Sequence, residues 1–348
     1  HGNHEMVQTS LRSVMKSFDL VIIGGGICGM TAAIYAARAN IRACILEQQV
    51  CGGLVNWTNT VENVPSYQSI HGIDLMEKCR EHVESLNVAI EEVDKVTAVN
   101  FSGDIKKITT SMGEEYEAPA VIVATGRSPR PFPVETDFPN IHYCSVCDGT
   151  PYKGKDIIVM GGGNSGFDES LYLLGLGVSN IHIVETFPSC IAAASTQDLA
   201  RATGKIQVSV SMDITAVEEL TDGRGRVTFH DKAEDRTYTE DVDGIFCFIG
   251  QTPNTGVFED KLDMDHGYIR VNADMETNIP GVFAAGDVTT KKYRQITTAM
   301  GDGTIAALQA GAYLRRRRTG RSVFPEMDHA VPYGTSHPHS LPFSRNYR

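Results

Sequence analysis

Two cysteines separated by two residues, Cys144 and Cys147, are the clearest chemical feature of the sequence. A C-x-x-C pair is either a redox-active dithiol or one half of a zinc site. A zinc site would need two further ligands at suitable spacing, and the sequence contains no second C-x-x-C and no H-x-x-x-H. We therefore predict a redox dithiol and no bound metal.

A glycine-rich turn of the form G-x-G-x-x-G occurs twice, each time between an apolar run and a helical stretch. The first glycine permits a tight bend, the second lets the backbone approach a pyrophosphate, and the third lets the helix pack close to the strand. The helix N-terminus then presents unpaired N–H groups to the phosphates. The turns comprise Gly24, Gly26 and Gly29 in the first copy, and Gly161, Gly163, Asn164, Ser165 and Gly166 in the second.

An acidic residue follows each glycine-rich turn, at the end of the next predicted strand. Glu47 lies 18 residues after Gly29, and Glu185 lies 19 residues after Gly166. A carboxylate in this place accepts hydrogen bonds from the adenosine ribose of a dinucleotide. Two such units predict two dinucleotides, and the natural pair is a tightly held flavin, FAD, with an exchangeable nicotinamide.

The elements that must position these groups alternate between strands and helices, which predicts an α/β fold. Two further apolar runs end in small residues that could meet a ribityl chain and pyrophosphate, although each could also be an ordinary strand end. The first run ends in Ala124, Thr125 and Gly126, and the second ends in Gly286 and Asp287. The predicted strands of the two repeats are 18–23, 42–46, 156–160 and 181–184, and their helices are 30–39 and 167–176.

Length and composition limit the class of protein. The chain has 348 residues and a formal net charge of −12, which suggests two domains and argues against nucleic acid as a partner. No run of about 18 apolar residues is present, so we expect no membrane span. Eight cysteines are too sparse for a secreted disulfide framework, and no signal peptide is visible. We expect a cytoplasmic protein with mostly free thiols.

Several short stretches together resemble the low-molecular-weight thioredoxin reductase family, over about residues 18 to 314. The resemblance implies a homodimer of chains with two nested Rossmann-like dinucleotide-binding domains, each a three-layer ββα arrangement. An FAD-binding domain at 18–130 and 250–314 would be interrupted by an NAD(P)-binding-like domain at 131–249 that carries the C-x-x-C. The stretches are 35–40 (YAARAN), 61–63 (VEN), 144–149 (CSVCDG), 250–255 (GQTPNT), 281–288 (GVFAAGDV) and 293–295 (YRQ).

By motif position, the resemblance also implies further residues of the FAD site. These are Gly53, Leu54, Asn63, Arg294 and Gln295. The family normally has a glutamine near the flavin where this sequence has Leu54. Leucine offers no polar side-chain group, so we expect an altered flavin environment.

The same resemblance implies a mechanism for the dithiol. Reduced nicotinamide would give hydride to FAD, and the flavin would pass electrons to the disulfide of Cys144 and Cys147. Cys147 would face the flavin, and Cys144 would attack the disulfide of thioredoxin or a related partner after rotation of the nicotinamide domain. Asp148 would manage the proton, although an aspartate before a glycine is also a common turn former.

The sequence departs from the family in the second glycine-rich unit. The family usually carries a cluster of arginines there that binds the 2′-phosphate of NADPH, whereas no Arg or Lys occurs here between Gly166 and Arg201. A 2′-phosphate beside Glu185 would meet like charge, while a ribose hydroxyl would gain an acceptor. We predict NADH over NADPH by at least about tenfold in specificity constant, or about 1.4 kcal/mol.

Other functions remain open at this stage. Without the arginines the donor could be ferredoxin or another non-nicotinamide carrier, or the protein could work as a dithiol oxidase that consumes oxygen. A non-enzymatic flavoprotein is disfavoured, because a sensor does not need the C-x-x-C, Asp148 and a second glycine-rich unit together.

The two ends of the chain fall outside the resemblance. We predict a flexible leader at 1–17 and a basic tail at 315–348, rich in proline and aromatic residues. The tail is either a solvated extension, or a segment whose aromatic residues cover the flavin or a subunit edge.

Overall fold

The structure, a computed structural model, describes residues 15–58 and 61–320. The first segment of the chain contains β1 (Lys16–Ser17), β2 (Leu20–Ile23), α1 (Ile27–Arg38), β3 (Ala43–Leu46), a 3-10 turn (Gly53–Trp57), α2 (Gly72–Ser85), β4 (Ala89–Glu91), β5 (Val96–Asn100), β6 (Lys106–Thr110), β7 (Glu115–Ala118), β8 (Ala120–Val123) and β9 (Arg127–Pro129).

The middle segment contains β10 (Ile141–His142), α3 (Ser145–Asp148), a 3-10 turn (Thr150–Tyr152), β11 (Asp156–Met160), α4 (Asn164–Gly175), β12 (Asn180–Val184), α5 (Ala194–Ala202), β13 (Ile206–Ser209), β14 (Met212–Glu219), β15 (Gly225–Asp231), β16 (Arg236–Val242) and β17 (Gly244–Cys247). The last segment contains β18 (Gln251–Pro253), a 3-10 turn (Gly256–Phe258), β19 (Met264–Asp265), β20 (Tyr268–Ile269), β21 (Val282–Ala284), a 3-10 turn (Gly286–Val288) and α6 (Ile296–Thr319).

A five-stranded parallel sheet with the order β21-β8-β2-β3-β4 is the centre of the first domain. Successive side chains of β2 point to opposite faces. Leu20 and Ile22 pack among residues of α1, α2 and α6, whereas Val21 and Ile23 pack against the sheet β1-β7-β6-β5. Because both faces are covered, β2 is an unbroken apolar run, and the domain has three layers of sheet, sheet and helix.

The second domain repeats this plan around the parallel sheet β10-β17-β11-β12-β13. Ile157 and Val159 of β11 face the helical side, where Phe167 of α4 is fully buried. Ile158 faces the antiparallel sheet β14-β15-β16 and packs in one cluster with Phe229. The alternation along β11 therefore builds the same three layers as the alternation along β2.

The two domains are nested in the chain. β21 from the last segment pairs with β8 of the first, so the first domain is completed only after the second. The chain leaves through β9 and returns through β18, and these two strands pair with each other, with Arg127 opposite Pro253. The prediction of an α/β fold with nested Rossmann-like domains is confirmed.

The structure differs from the sequence prediction in three respects. Helices α1 and α4 begin three residues earlier than predicted, because the glycine-rich turn runs directly into the first helical turn with Gly26 and Gly163 as N-caps. Regular structure also begins before residue 18, because Lys16 of β1 pairs with Tyr116 of β7.

The third difference lies at the end of α6, which continues to Thr319 and is capped by Gly320 in the left-handed region. Residues 315–318 therefore belong to the helix rather than to the predicted tail. Arg318 donates to Asp19 at 2.9 Å, and Arg317 lies 3.2 Å from Asp104, so the basic end of the helix is tied to the first domain. The rest of the predicted leader and tail, with the aromatic residues proposed to cover the flavin, lies outside the described residues.

Within residues 15–58 and 61–320, no helix is both long and apolar enough to cross a membrane.

The crossing of α1 and α6 allows a first prediction. A Cβ on Gly303 would lie 2.4 Å from the carbonyl oxygen of Cys28, whereas a Cβ on Gly301 would meet nothing within 4 Å. Gly303→Ala should lower the free energy of unfolding by about 1–3 kcal/mol through overpacking. Gly301→Ala should raise it by about 0.5–1 kcal/mol through helix propensity. Urea unfolding measures both, and equal stabilities of the two variants would contradict this account of the crossing.

Candidate active site

The first glycine-rich turn is shaped by close backbone contacts. Gly24 has a φ of +111°, and a Cβ there would lie 2.3 Å from the carbonyl oxygen of Ala124. A Cβ on Gly29 would lie 1.9 Å from the carbonyl oxygen of Gly24. Only Gly26, at the N-cap of α1, faces open space. A pyrophosphate can therefore approach the helix N-terminus at Gly26.

The second turn reproduces this geometry. Gly161 has a φ of +119° and lies against the carbonyl oxygen of Phe248, while a Cβ on Gly166 would lie 1.9 Å from the carbonyl oxygen of Gly161. Gly163 is the open N-cap of α4. Asn164 and Ser165 form the exposed start of that helix.

The two acidic residues are held in the same way. Glu47 accepts hydrogen bonds from the backbone N–H of Gly25 at 2.7 Å and of Gln49 at 2.9 Å. Glu185 accepts from the N–H of Gly162 at 2.6 Å and of Phe187 at 3.0 Å. Each carboxylate is thereby fixed beside its glycine-rich turn, and each oxygen keeps a lone pair for a ribose hydroxyl.

The predicted FAD residues gather around the carboxyl ends of β8 and β21. The side-chain amide of Asn63 donates to Oε1 of Gln295 at 3.2 Å, although the two residues lie 232 positions apart in the sequence. Gln295 is the N-cap of α6. The Thr125 hydroxyl donates to the Asn254 carbonyl at 2.8 Å, and Arg294 stacks over Tyr268 at 4.3 Å. Gly53 and Leu54 begin the 3-10 turn that ends at Trp57, and Gly126 follows Thr125 in a left-handed conformation.

Unsatisfied polar atoms test whether this region fits FAD. Arg127 donates to Asp287 at 3.1 Å, yet Nε of Arg127 and Oδ1 of Asp287 are buried with no partner among the described residues. The same holds for Nε of Arg294 and Oε1 of Gln251. Buried polar atoms are almost always hydrogen-bonded. A ligand rich in hydroxyl and phosphate groups would supply the missing partners, so the residues fit FAD.

Cys144 and Cys147 form a disulfide at the start of α3. The sulfur of Cys144 also accepts a hydrogen bond from the Cys147 N–H at 3.0 Å, which makes Cys144 the N-cap of this short helix. Cys144 is only 6% exposed, whereas Cys147 is exposed. Helix α3 lies against the 3-10 turn that begins at Gly53, so the disulfide is next to the predicted FAD site.

The other cysteines of the described chain are free thiols. Burial raises the pKa of Cys79 and of Cys247 to about 11, and that of Cys44 to about 12. A thiol with a raised pKa is a poor source of nucleophilic thiolate. These thiols are therefore poor candidates for the redox chemistry, and the C-x-x-C pair remains the candidate.

Three polar contacts around the disulfide were not predicted from the sequence. Asp148 lies 3.5 Å from the imidazole of His142, whose other nitrogen is 2.6 Å from the hydroxyl of Tyr152. Ser145, between the two cysteines, donates a hydrogen bond to Glu169 of α4. His142 stands two positions before Cys144, which is the only signal the sequence offers, whereas Glu169 is brought close by the packing of α4 on α3.

Comparison with known proteins decides the family. Residues 18–303 match the family model described as pyridine nucleotide-disulphide oxidoreductase. The chain belongs to this family. A 34.2 kDa protein in the rubredoxin operon of Clostridium pasteurianum is 40% identical over 86% of this chain and 98% of its own length. The thioredoxin reductase of Bacillus subtilis is 35% identical over 86% of this chain and 95% of its own.

A solved structure supports the assignment of this oxidoreductase. The crystal structure of Lactococcus lactis thioredoxin reductase, in the conformation named FR, superposes with a TM-score of 0.78 at 34% identity. The superposition covers 86% of this chain and 99% of the L. lactis chain. The resemblance to low-molecular-weight thioredoxin reductases is confirmed, and family membership implies FAD and a nicotinamide donor.

The contact between Ser145 and Glu169 leads to a second prediction. Burial raises the pKa of Glu169 above its ordinary value of 4.5, although the bond from Ser145 opposes this. The folded protein then holds this proton to higher pH than the unfolded chain, so wild-type stability falls as pH rises above about 4.5. Glu169→Gln should raise the melting temperature at pH 7.5 and change it little at pH 4.

Asp168 is the comparison, because it is the neighbouring acid on α4 and its side chain is more exposed than that of Glu169. Burial raises the pKa of Asp168 as well. Asp168→Asn should change the melting temperature less than Glu169→Gln at pH 7.5. An equal gain in both variants, or a gain in Glu169→Gln that does not depend on pH, would contradict a buried proton at Glu169.

Proposed function

We propose that this protein is a flavin-dependent thioredoxin-disulfide reductase that draws electrons from NADH. The observation that carries the proposal is the Cys144–Cys147 disulfide on α3, next to the 3-10 turn of the FAD-binding domain. The thioredoxin reductases of B. subtilis and L. lactis support thioredoxin as the partner. A homodimer and a cytoplasmic location are further parts of the proposal.

The proposed cofactor contacts follow the two glycine-rich turns. Gly24, Gly26 and Gly29, with Glu47, would hold the adenosine and pyrophosphate of FAD, and Asp287 would accept from the ribityl chain. Gly161, Gly163 and Gly166, with Asn164, Ser165 and Glu185, would hold the nicotinamide cofactor. When bound, FAD supplies a carrier that takes up a hydride and delivers two electrons to a disulfide.

The two cysteines have different proposed tasks. Cys147 is exposed and would receive the electrons on the side of the flavin. Cys144 would attack the disulfide of thioredoxin, but at 6% exposure it is out of reach of a protein partner in this arrangement. The attack therefore requires α3 to move relative to its surroundings, in keeping with the domain rotation implied by the family resemblance. Asp148, next to Cys147, would take up and release the proton.

Substitution of the cysteines tests this assignment. Cys144→Ser and Cys147→Ser should each lower the rate of thioredoxin reduction by about 10³-fold or more, because a hydroxyl cannot form the disulfide. Cys79→Ser is the control, since Cys79 is a free, half-buried thiol on α2. Full activity in Cys144→Ser would refute the proposed role, provided that FAD content and melting temperature match the wild type.

The preference for NADH rests on the surroundings of Glu185. The structure adds one cation that the local sequence does not show. Lys232, from the β15–β16 turn, reaches the residue after Glu185. Its Nζ donates to the Thr186 carbonyl at 2.6 Å and lies 3.0 Å from Asp213. This lysine is already engaged by neighbouring acceptors and does not replace an arginine cluster.

Two exposed apolar side chains occupy the segment where the family carries its arginines. Phe187 is 66% exposed and Ile191 is 84% exposed. Neither offers a hydrogen bond to a 2′-phosphate, and Glu185 would repel it. Both observations support a cofactor with a free ribose hydroxyl.

The same two residues provide a test of donor choice. Wild type should use NADH at least about tenfold better than NADPH. Phe187→Arg/Ile191→Arg should raise the ratio of NADPH to NADH specificity constants at least about tenfold, because arginine binds phosphate. Leu199→Arg, an exposed site on α5, controls for added charge. Equal use of both cofactors by the wild type would contradict the proposal.

A second candidate donor is a one-electron iron–sulfur carrier such as ferredoxin. The exposed Phe187 and Ile191 favour it, as does the relative named for its place in a rubredoxin operon. Anaerobic mixing with NADH, NADPH or reduced ferredoxin, followed by flavin absorbance near about 450 nm, distinguishes the donors. Rapid oxygen consumption with a dithiol would indicate instead a dithiol oxidase.

A further inference from the structure

The imidazole of His142 lies between a tyrosine and the aspartate that follows the redox disulfide. Nε2 of His142 is 2.6 Å from the hydroxyl of Tyr152, and Nδ1 is 3.5 Å from Oδ2 of Asp148. The ring packs against Phe246 of β17, with centroids 5.0 Å apart, and meets the Tyr152 ring edge-on. The His142 side chain is 19% exposed, so its orientation is fixed by packing rather than by water.

The ionisable groups around the ring determine its protonation state. Burial lowers the pKa of His142, and Asp148 of α3 opposes this shift. Burial, with Asp148 and Asp243 nearby, raises the pKa of Tyr152 to about 12, and the Lys155 ammonium lies 5.3 Å over the tyrosine ring. The side chain of β17 that packs against the imidazole is Phe246, which carries no charge. His142 is therefore neutral and Tyr152 keeps its proton at neutral pH.

A neutral imidazole has one donor and one acceptor, which fixes the direction of both contacts. The Asp148 carboxylate can only accept, so Nδ1 carries the proton and points it at Asp148. Nε2 then accepts from the Tyr152 hydroxyl. The opposite tautomer would place the Nδ1 lone pair against a carboxylate, and it becomes favourable only once Asp148 is itself protonated.

We propose that His142 is a positioning residue that orients Asp148 and stabilises its carboxylate form beside the redox disulfide. The inference rests on the proposed function, in which Asp148 exchanges the proton of the dithiol. Reduction of the Cys144–Cys147 disulfide needs two electrons, which bound FAD would supply; the S–S bond breaks to leave two thiolates, which take up two protons to become thiols. Asp148 passes on one of these protons, and the His142–Tyr152 pair determines how readily it gains that proton.

Two amide substitutions separate the contacts of the ring. The side-chain NH₂ of asparagine lies where Nδ1 lies, so His142→Asn keeps a donor for Asp148 and loses the contact with Tyr152. The longer glutamine places its amide where Nε2 lies, so His142→Gln keeps the contact with Tyr152 and loses the donor to Asp148. The two variants are otherwise alike in polarity.

The test is a pH titration of the Asp148 carboxyl by ¹³C NMR on oxidised, FAD-loaded protein, with the signal assigned through Asp148→Asn. His142→Gln should raise the proton affinity of Asp148 about three- to tenfold, because the ring N–H that lies 3.5 Å from the charged carboxylate is lost. His142→Asn should stay within about twofold of wild type. Tyr152→Phe, which preserves the ring, should shift the affinity in the same direction as His142→Gln but by less.

The control is His230→Gln, which removes an exposed histidine–aspartate pair of the same domain. The proposal is overturned if His142→Gln titrates like wild type, or if His142→Asn shifts as far as His142→Gln. The titration uses neither electron donor nor thioredoxin. Failure of the reductase function would instead appear as absent turnover in the wild type, so the two failures are distinguishable.

Discussion

The α-carbon of Gly29 lies against the carbonyl oxygen of Gly24, and Gly166 lies in the same way against Gly161, so closely that neither contact has room for a methyl group. This approach brings the first turn of each helix against the end of its strand. It leaves the N-caps Gly26 and Gly163 as the open places in the two turns. In the proposed function the backbone N–H groups there bind a nucleotide in each domain, and the acids, the disulfide and the interdomain strands are arranged around these two points.

The two domains use one plan for different tasks. In both, the strand before the glycines has two buried faces, and the acid at the end of the next strand is fixed by two backbone N–H groups. They differ in what surrounds the acid. The second domain alone carries the C-x-x-C, and its chain after Glu185 exposes Phe187 and Ile191. The shared contacts explain the common fold, whereas the differing residues must explain which cofactor each domain selects.

Features encoded by neighbours in sequence could be predicted, and features formed by distant residues could not. The glycine-rich turns, the acids and the C-x-x-C each lie within one short segment. Their spacing along the sequence is therefore enough to predict them. The contact of Lys232 with Thr186 depends on the β15–β16 turn folding over the parallel sheet. The bond between Ser145 and Glu169 depends on α4 packing beside α3. The predicted starts of α1 and α4 lie three residues too late, because glycine has low helix propensity. In both helices a glycine of the turn is instead the N-cap.

Two carboxyl groups lie close to the disulfide, and their surroundings differ. Glu169 is half-buried and accepts a hydrogen bond from Ser145, and burial raises its pKa above the ordinary value. Asp148 is 39% exposed, at the end of α3, with an imidazole beside it. Burial disfavours the charged form of a carboxylate, whereas contact with water solvates that form. Paired acids with divergent environments commonly divide their roles in this way. The bond from Ser145 to Glu169 ties the segment between the cysteines to α4. In the proposed function, Asp148 rather than Glu169 is therefore the acid that exchanges the proton of the dithiol.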